Sequence, residues 1–220
     1  MNAPNGTAGE VAAVRAALAR ARPGALAHVR MAPRLVGEDG VAVTALDRVP
    51  GPDVRAAAVL LVLCERPEGL ELLFIRRPVY DGEHSGQIAF PGGRREGDES
   101  LDQTALRETH EELGIEPARI ELLGALSPLF VWVSNHLVAP YVGLARGPLE
   151  LRPCTREVAD VFAVPLSRLR ARRYHGAELV SLKRGRAWAP YFALPGTRLW
   201  GASAMMLIEL VSLLDGHGGD

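Results

Sequence analysis

The stretch from Ser100 to Gly114 constrains the fold most, because both ends of a helix are written into it. Ser100 and Gln103 have the S-x-x-Q form of a capping box, and Gly114 supplies a stop. Helical spacing places Ala105, Thr109 and Leu113 on a core-facing stripe and turns Glu108, Glu111 and Glu112 together toward the opposite face. Just upstream, Ala57 to Cys64 is a continuous apolar run of strand length. Glu65 to Gly69 then turns the chain into a second run, Leu70 to Ile75. Gln87 to Phe90 reads as a third short strand ending at Pro91-Gly92-Gly93, where the backbone is expected to leave regular geometry.

Around this centre the elements are shorter. Residues 9 to 21 carry Val11, Val14 and Leu18 at helical spacing, and Arg22-Pro23-Gly24 ends the pattern. Ala25 to Pro52 is punctuated by Pro and Gly and reads as a wrapping segment with one strand at Val41 to Ala45. Strands are expected at Ile120–Leu126, Leu137–Leu144, Val158–Val164, Glu178–Leu182 and Trp188–Leu194, followed by an apolar element of helical length, Ala202–Leu214. A chain of 220 residues with 48% hydrophobic content supports one sizeable core. The expected organisation is an N-terminal helix and wrapping segment, 1–54, packed on an α/β (α+β) domain, 55–220.

Composition removes several function classes. A formal net charge of −1 gives no basic field for nucleic acid, so any phosphate handling must be local. Two cysteines, Cys64 and Cys154, without paired spacing near histidines support neither a disulfide framework nor structural zinc, and fit a reducing cytoplasm. Met1 to Glu10 lacks the basic start and apolar run of a secretory signal. Ala202 to Leu214 falls short of the roughly 20 residues that span a bilayer, so no membrane association is expected. Oligomeric state is not written in the sequence, and a homodimer is compatible with it.

A solvated acidic face is the ordinary explanation for three glutamates on one helix. Here the surroundings add oxygen donors. Gly92 and Gly93 can turn carbonyls toward a cation, Glu99 brings another carboxylate near the helix start, and Arg107 sits among the acids. Hard cations such as Mg²⁺ take a few carboxylates and complete their shell with water and substrate phosphate.

The segment from Gly93 to Ile115, GRREGDESLDQTALRETHEELGI, closely resembles the Nudix box, G-x5-E-x7-R-E-U-x-E-E-x-G-U, with U a bulky aliphatic residue. Gly93, Glu99, Arg107, Glu108, Glu111, Glu112, Gly114 and Ile115 match, while Thr109 replaces the first aliphatic residue on the buried stripe. The resemblance implies a Nudix-type α/β/α sandwich with a mixed central sheet that hydrolyses the pyrophosphate bond of a nucleoside diphosphate derivative. It implies Mg²⁺ or Mn²⁺ held by Glu108, Glu111 and Glu112 with the Gly93 carbonyl, and an orienting role for Arg107. For the group that takes the proton from water, Glu108 and Glu111 are candidates by motif position. Glu157, ahead of a predicted strand, is a candidate from outside the box, or an ordinary turn carboxylate.

Before the box, Leu73, Arg77, Gly86 and Phe90-Pro91-Gly92-Gly93 resemble the pattern of the coenzyme A pyrophosphatase branch, L-L-T-x-R-S-x3-R-x3-G-x3-F-P-G-G. Phe74, Ile75, Pro78 and Gly82 depart from it, Gly82 standing where a second Arg is expected. Leu199-Trp200-Gly201-Ala202-Ser203-Ala204 is similar to the opening of that branch's C-terminal helix. Together these imply a small-molecule nucleotide substrate, coenzyme A or its thioesters, cleaved to 3′,5′-ADP and 4′-phosphopantetheine or an acylated form. ADP-ribose or nucleoside triphosphates, and a Nudix-fold binding module without hydrolysis, are the alternatives. Arg77, His84 and Gln87 are the expected substrate contacts. Arg77 is a bidentate phosphate ligand or a surface arginine at a strand end, and His84 contacts substrate or caps its turn. Trp132, Trp188, Tyr191 and Phe192 are either an adenine platform or core, with core the commoner fate of strand aromatics.

Overall fold

The computed structural model describes residues 6–36, 42–81, 84–171, 175–182 and 185–216. Ahead of the predicted core lie α1 (Gly6–Leu18), α2 (Ala25–His28), β1 (Arg34–Val36) and β2 (Ala42–Thr44). The central region runs β3 (Arg55–Arg66), β4 (Gly69–Arg76), β5 (Ile88–Ala89), β6 (Gly92–Arg94) and α3 (Leu101–Leu113). After it come β7 (Ile120–Ala125), β8 (Leu129–Val131), β9 (His136–Ala145), β10 (Asp160–Pro165) and α4 (Leu166–Arg170). The chain closes with β11 (His175–Leu182), β12 (Gly185–Leu194), β13 (Thr197–Trp200) and α5 (Gly201–Leu214).

The apolar run of β3 is continuous because both of its faces are covered. Ala57, Leu61 and Leu63 join one cluster with α1 and α5, while Ala58, Leu60, Val62 and Cys64 join another with Ala105 and Leu113 of α3. Among the described residues the large sheet has the path β10-β4-β3-β9-β7, with β5, β6 and β8 on its flanks. β3 and β9 run parallel from Arg55↔His136 to Cys64↔Ala145, and the other pairs are antiparallel, so the sheet is mixed and the layers are α/β/α. A second sheet, β11-β12-β1-β2 with β13 on β12, draws on both ends of the chain.

Several elements differ from expectation. The first helix ends at Leu18, before Arg22. Gly92 leaves regular geometry as expected, at φ 151°, yet Gly92–Arg94 still pair as β6, antiparallel to Ala57–Val59 of β3. Val158 precedes its strand and instead donates to the Cys154 carbonyl. The wrapping segment carries β1 as well as β2, and β8, β13, α2 and α4 are further short elements. Val41, expected to open β2, lies outside the described residues, as does Gly82.

α3 has both predicted termini. Ser100 and Gln103 exchange the two capping-box hydrogen bonds, and Gly114 closes the helix at φ 71°, a left-handed conformation that side chains disfavour. Thr109, the departure from the aliphatic pattern, is fully buried, yet its hydroxyl donates to the Ala105 carbonyl at 2.7 Å. The helix thereby satisfies the one polar group that this stripe carries inward.

Candidate active site

The glutamates of α3 do not share one environment, which corrects the reading of a single acidic face. At 100° per residue, Glu108 and Glu112 are about 40° apart around the axis, whereas Glu111 lies about 100° from Glu112. Glu112 therefore points under β6, is only 2% exposed, and accepts the Gly92 N–H at 2.9 Å. The Glu108 side chain is 12% exposed, and Glu111 stands at the solvent edge at 53%.

Arg107 ties these carboxylates to the loop before the helix. Its Nη2 and Nε donate to both oxygens of Glu99 at 2.9 and 3.0 Å, and Nη2 also reaches the Arg94 carbonyl at 2.9 Å. Its Nη1 lies 3.0 Å from Glu108 and 2.9 Å from Glu111. Hydrogen bonds from Arg107 first, then the Glu96 N–H, hold the Glu99 carboxyl at about 2, and Thr104 adds a further donor. A bidentate guanidinium fork with charged partners fixes geometry as well as charge.

The segment between β9 and β10 brings in the next carboxylate. Arg152 and Cys154 donate backbone N–H groups to the Leu113 and Glu112 carbonyls at 2.8 and 2.9 Å, so the segment caps the helix end. Glu157 and Val158 then donate to the Cys154 carbonyl, which directs Glu157 back toward the helix glutamates. Burial pushes the Glu112 carboxyl up to about 7, against the pull of Arg77 and the Gly92 N–H, with Glu108 and Glu157 adding to the rise. Burial also raises Glu108, opposed by Arg107 and reinforced by Glu111 and Glu157.

Arg77, His84, Gln87, Gly93, Glu108, Glu112 and Glu157 line one cleft of about 630 Å³, while Arg107 and Glu111 are not part of its lining. His84 adopts φ 65° and its Nδ1 lies 3.1 Å from Gln87 Oε1, so these two residues fix each other. Arg77 donates its N–H to the Gln87 carbonyl across the same loop. The opposite wall includes Phe90, Phe130, Val138, Met205 and Met206, with Trp132 and Trp200 also on the lining. Arg48 stacks over Trp132 at 4.7 Å. Phe192 is core, whereas Trp188 is 52% exposed on the second sheet, against the expectation of burial. Arg94, Ser134 and His136 of the lining have no motif to announce them. For Ser134 and His136 the local signal is Asn135 between them, whose φ of 53° marks the turn before β9.

Among the described residues no three carboxylates, imidazoles or thiols already close around one point. The donors nevertheless suit a hard divalent cation. Burial first, then the neighbouring carboxylates, disfavours the charged forms of Glu108 and Glu112, and a divalent cation beside them would restore those forms. Gly93 is required beside them, because a Cβ there would overlap the Glu108 carboxylate.

The profile of the NUDIX domain matches residues 54–183. The chain is 39% identical over 161 residues to the uncharacterized Nudix hydrolase NudL of Enterobacter sp. (strain 638), covering 71% of this chain and 81% of that protein. To the NudL of Escherichia coli O1:K1 / APEC it is 36% identical, with the same coverage. The crystal structure of the MutT protein from Methanosarcina mazei Go1 aligns at a TM-score of 0.49 and 17% identity, over 76% of this chain and 96% of that one. The profile and the NudL relatives agree with the box on α3, so the chain belongs to the Nudix family, whose members generally use divalent metal ions, and is a pyrophosphohydrolase of nucleoside diphosphate derivatives.

Proposed function

We propose that the substrate is coenzyme A or one of its thioesters, cleaved at the diphosphate to 3′,5′-ADP and 4′-phosphopantetheine or its acylated form. One observation carries this reading: Arg77, Phe90, Gly92 and Gly93 from the first segment that resembles the coenzyme A branch, and Trp200 to Ser203 from the second, line the same cleft as Glu108, Glu112 and Glu157. That cleft joins a polar end to an apolar wall, the combination a diphosphate with a long pantetheine arm requires. Pro33 and Leu35 also line it, so the segment before residue 55 belongs to the same working unit.

Mg²⁺ or Mn²⁺ would be held by Glu108, Glu111, Glu112 and the Gly93 carbonyl. When bound, such ions offset charge on the diphosphate oxygens and acidify water. Arg107 positions Glu108 and Glu111, and through Glu99 fixes the loop between β6, which carries Gly93, and α3. Arg77, unpaired by any carboxylate within hydrogen-bond reach among the described residues, offers its guanidinium to a phosphate oxygen. Glu157 is the general base: it lies on the cleft wall with Glu108 and Glu112, outside the Arg107 network. It takes a proton from water as the water oxygen bonds to phosphorus and the bridging P–O bond breaks. Two free cysteines, Cys64 and Cys154, fit a reducing cytoplasm, where we place the enzyme.

The test is a substrate panel. Purified protein with Mg²⁺ or Mn²⁺ is offered coenzyme A, ADP-ribose, NADH and nucleoside triphosphates, and products are separated by chromatography. Coenzyme A is expected to yield 3′,5′-ADP. Intact coenzyme A beside consumed ADP-ribose would overturn the assignment.

A further inference from the structure

The cleft carries a group of cationic side chains that the hydrolysis of a diphosphate does not use. Arg55 and His136 are partners across the parallel β3–β9 pair, and Arg94 is the partner of Ala57 across β3–β6. Partnered residues share a face, and residues two apart on a strand do too, so Arg55, Arg94 and His136 project from one face of three adjacent strands. Arg94 and His136 line the cleft, with Ser134 beside them.

These groups lack anionic partners. Arg107 takes the nearby carboxylates Glu99, Glu108 and Glu111. Among the described residues neither Arg55 nor Arg94 is paired with a carboxylate; the Arg55 guanidinium donates to the Ser134 carbonyl at 2.9 Å. His136 Nε2 is buried without a hydrogen-bond partner among the described residues. Burial first, then Arg55, with Arg94 and His84 contributing, lowers the pKa of His136 and so favours its neutral imidazole.

We propose that Arg94, His136 and Arg55 form a subsite for a phosphate monoester on the substrate, separate from the diphosphate that is cleaved. Given the coenzyme A reading, on which this inference rests, that group is the 3′-phosphate of the 3′,5′-ADP half. Two strand spacings of about 4.8 Å separate β6 from β9, so the backbones that carry Arg94 and His136 stand roughly 10 Å apart, and their side chains approach one phosphate from two sides. A phosphate there accepts from His136 Nε2 and from guanidinium groups, the donor set such an anion prefers.

The experiment compares kcat/KM for coenzyme A and 3′-dephospho-coenzyme A in the wild type, Arg94→Gln and His136→Gln. A charge-assisted hydrogen bond to phosphate predicts a wild-type preference for coenzyme A of about tenfold or more, falling toward unity in each variant. Calorimetry with 3′,5′-ADP and 5′-AMP gives the same comparison without turnover: the wild type binds 3′,5′-ADP more tightly, and the variants lose the difference. Equal use of both substrates by the wild type, or a preference unchanged in both variants, overturns the subsite while leaving the coenzyme A reading intact. Hydrolysis of neither compound overturns that reading and the subsite with it.

Discussion

Glu112 is the residue whose environment departs furthest from its type. Its carboxyl is raised from 4.5 to about 7, so the folded chain holds a proton there that the unfolded chain releases. The cost to folding therefore sets in as pH rises above about 4.5 and is complete above about 7. In chelator-treated protein, Glu112→Gln should melt a few degrees above the wild type at pH 8, with the gain vanishing near pH 4.5. Melting curves that stay parallel across this range would refute the burial argument. Arg107 makes the opposite prediction. Because it holds Glu99, Glu108 and Glu111 at once, Arg107→Lys should lower kcat by about 10- to 100-fold with little change in KM, since an ammonium cannot reproduce the fork. Steady-state kinetics decides it.

The elements show which parts of the fold sequence alone could reveal. α3 was legible because its capping box, its stop and its apolar stripe are all local signals. β3 and β9 were legible from apolar runs, though their parallel pairing was not. β6 was hidden, because its residues Gly92-Gly93-Arg94 have no strand preference and are held by pairing with distant β3. For the same reason β1, β8 and β13, each of three or four residues, escape any periodicity. Spacings of three and four put Glu108 beside both Glu111 and Glu112, and so hide the roughly 100° between the latter two. Which face meets β6 depends on how the helix lies across the sheet, and no local pattern encodes that. β6 gives its own prediction: Gly93→Ala should keep the fold, since the backbone there is strand-like, yet cut turnover by about 100-fold by displacing Glu108. Unchanged turnover would mean that the close approach of Gly93 to Glu108 serves no catalytic purpose.

At the scale of the molecule, the chain's two ends are joined by a buried polar knot. Glu209 of α5 is fully buried and accepts from Ser127 Oγ at 2.6 Å, from the Ser127 N–H, and from the Gly24 N–H, with His28 Nε2 at 2.9 Å. Burial alone would raise its carboxyl, but His28 and Ser127 prevail and hold it below the usual range. The stability it confers is present above the unfolded pKa and is lost as pH falls through the folded one. Glu209→Ala should cost about 3 kcal/mol at pH 7 in urea unfolding, narrowing toward acid pH. A gap constant with pH would assign the loss to packing alone. No helix among the described residues is long and apolar enough to cross a membrane, and α5 spends its apolar surface on this core instead.

The central claim is that the buried side of α3 grips cations that grip a diphosphate. Titrating Mn²⁺ into the wild type and the Glu108→Gln/Glu112→Gln double variant, with free ion followed by electron paramagnetic resonance, tests it without requiring turnover. The account predicts bound Mn²⁺ in the wild type and its loss in the variant, with the fold retained. Identical binding by the two proteins would contradict it.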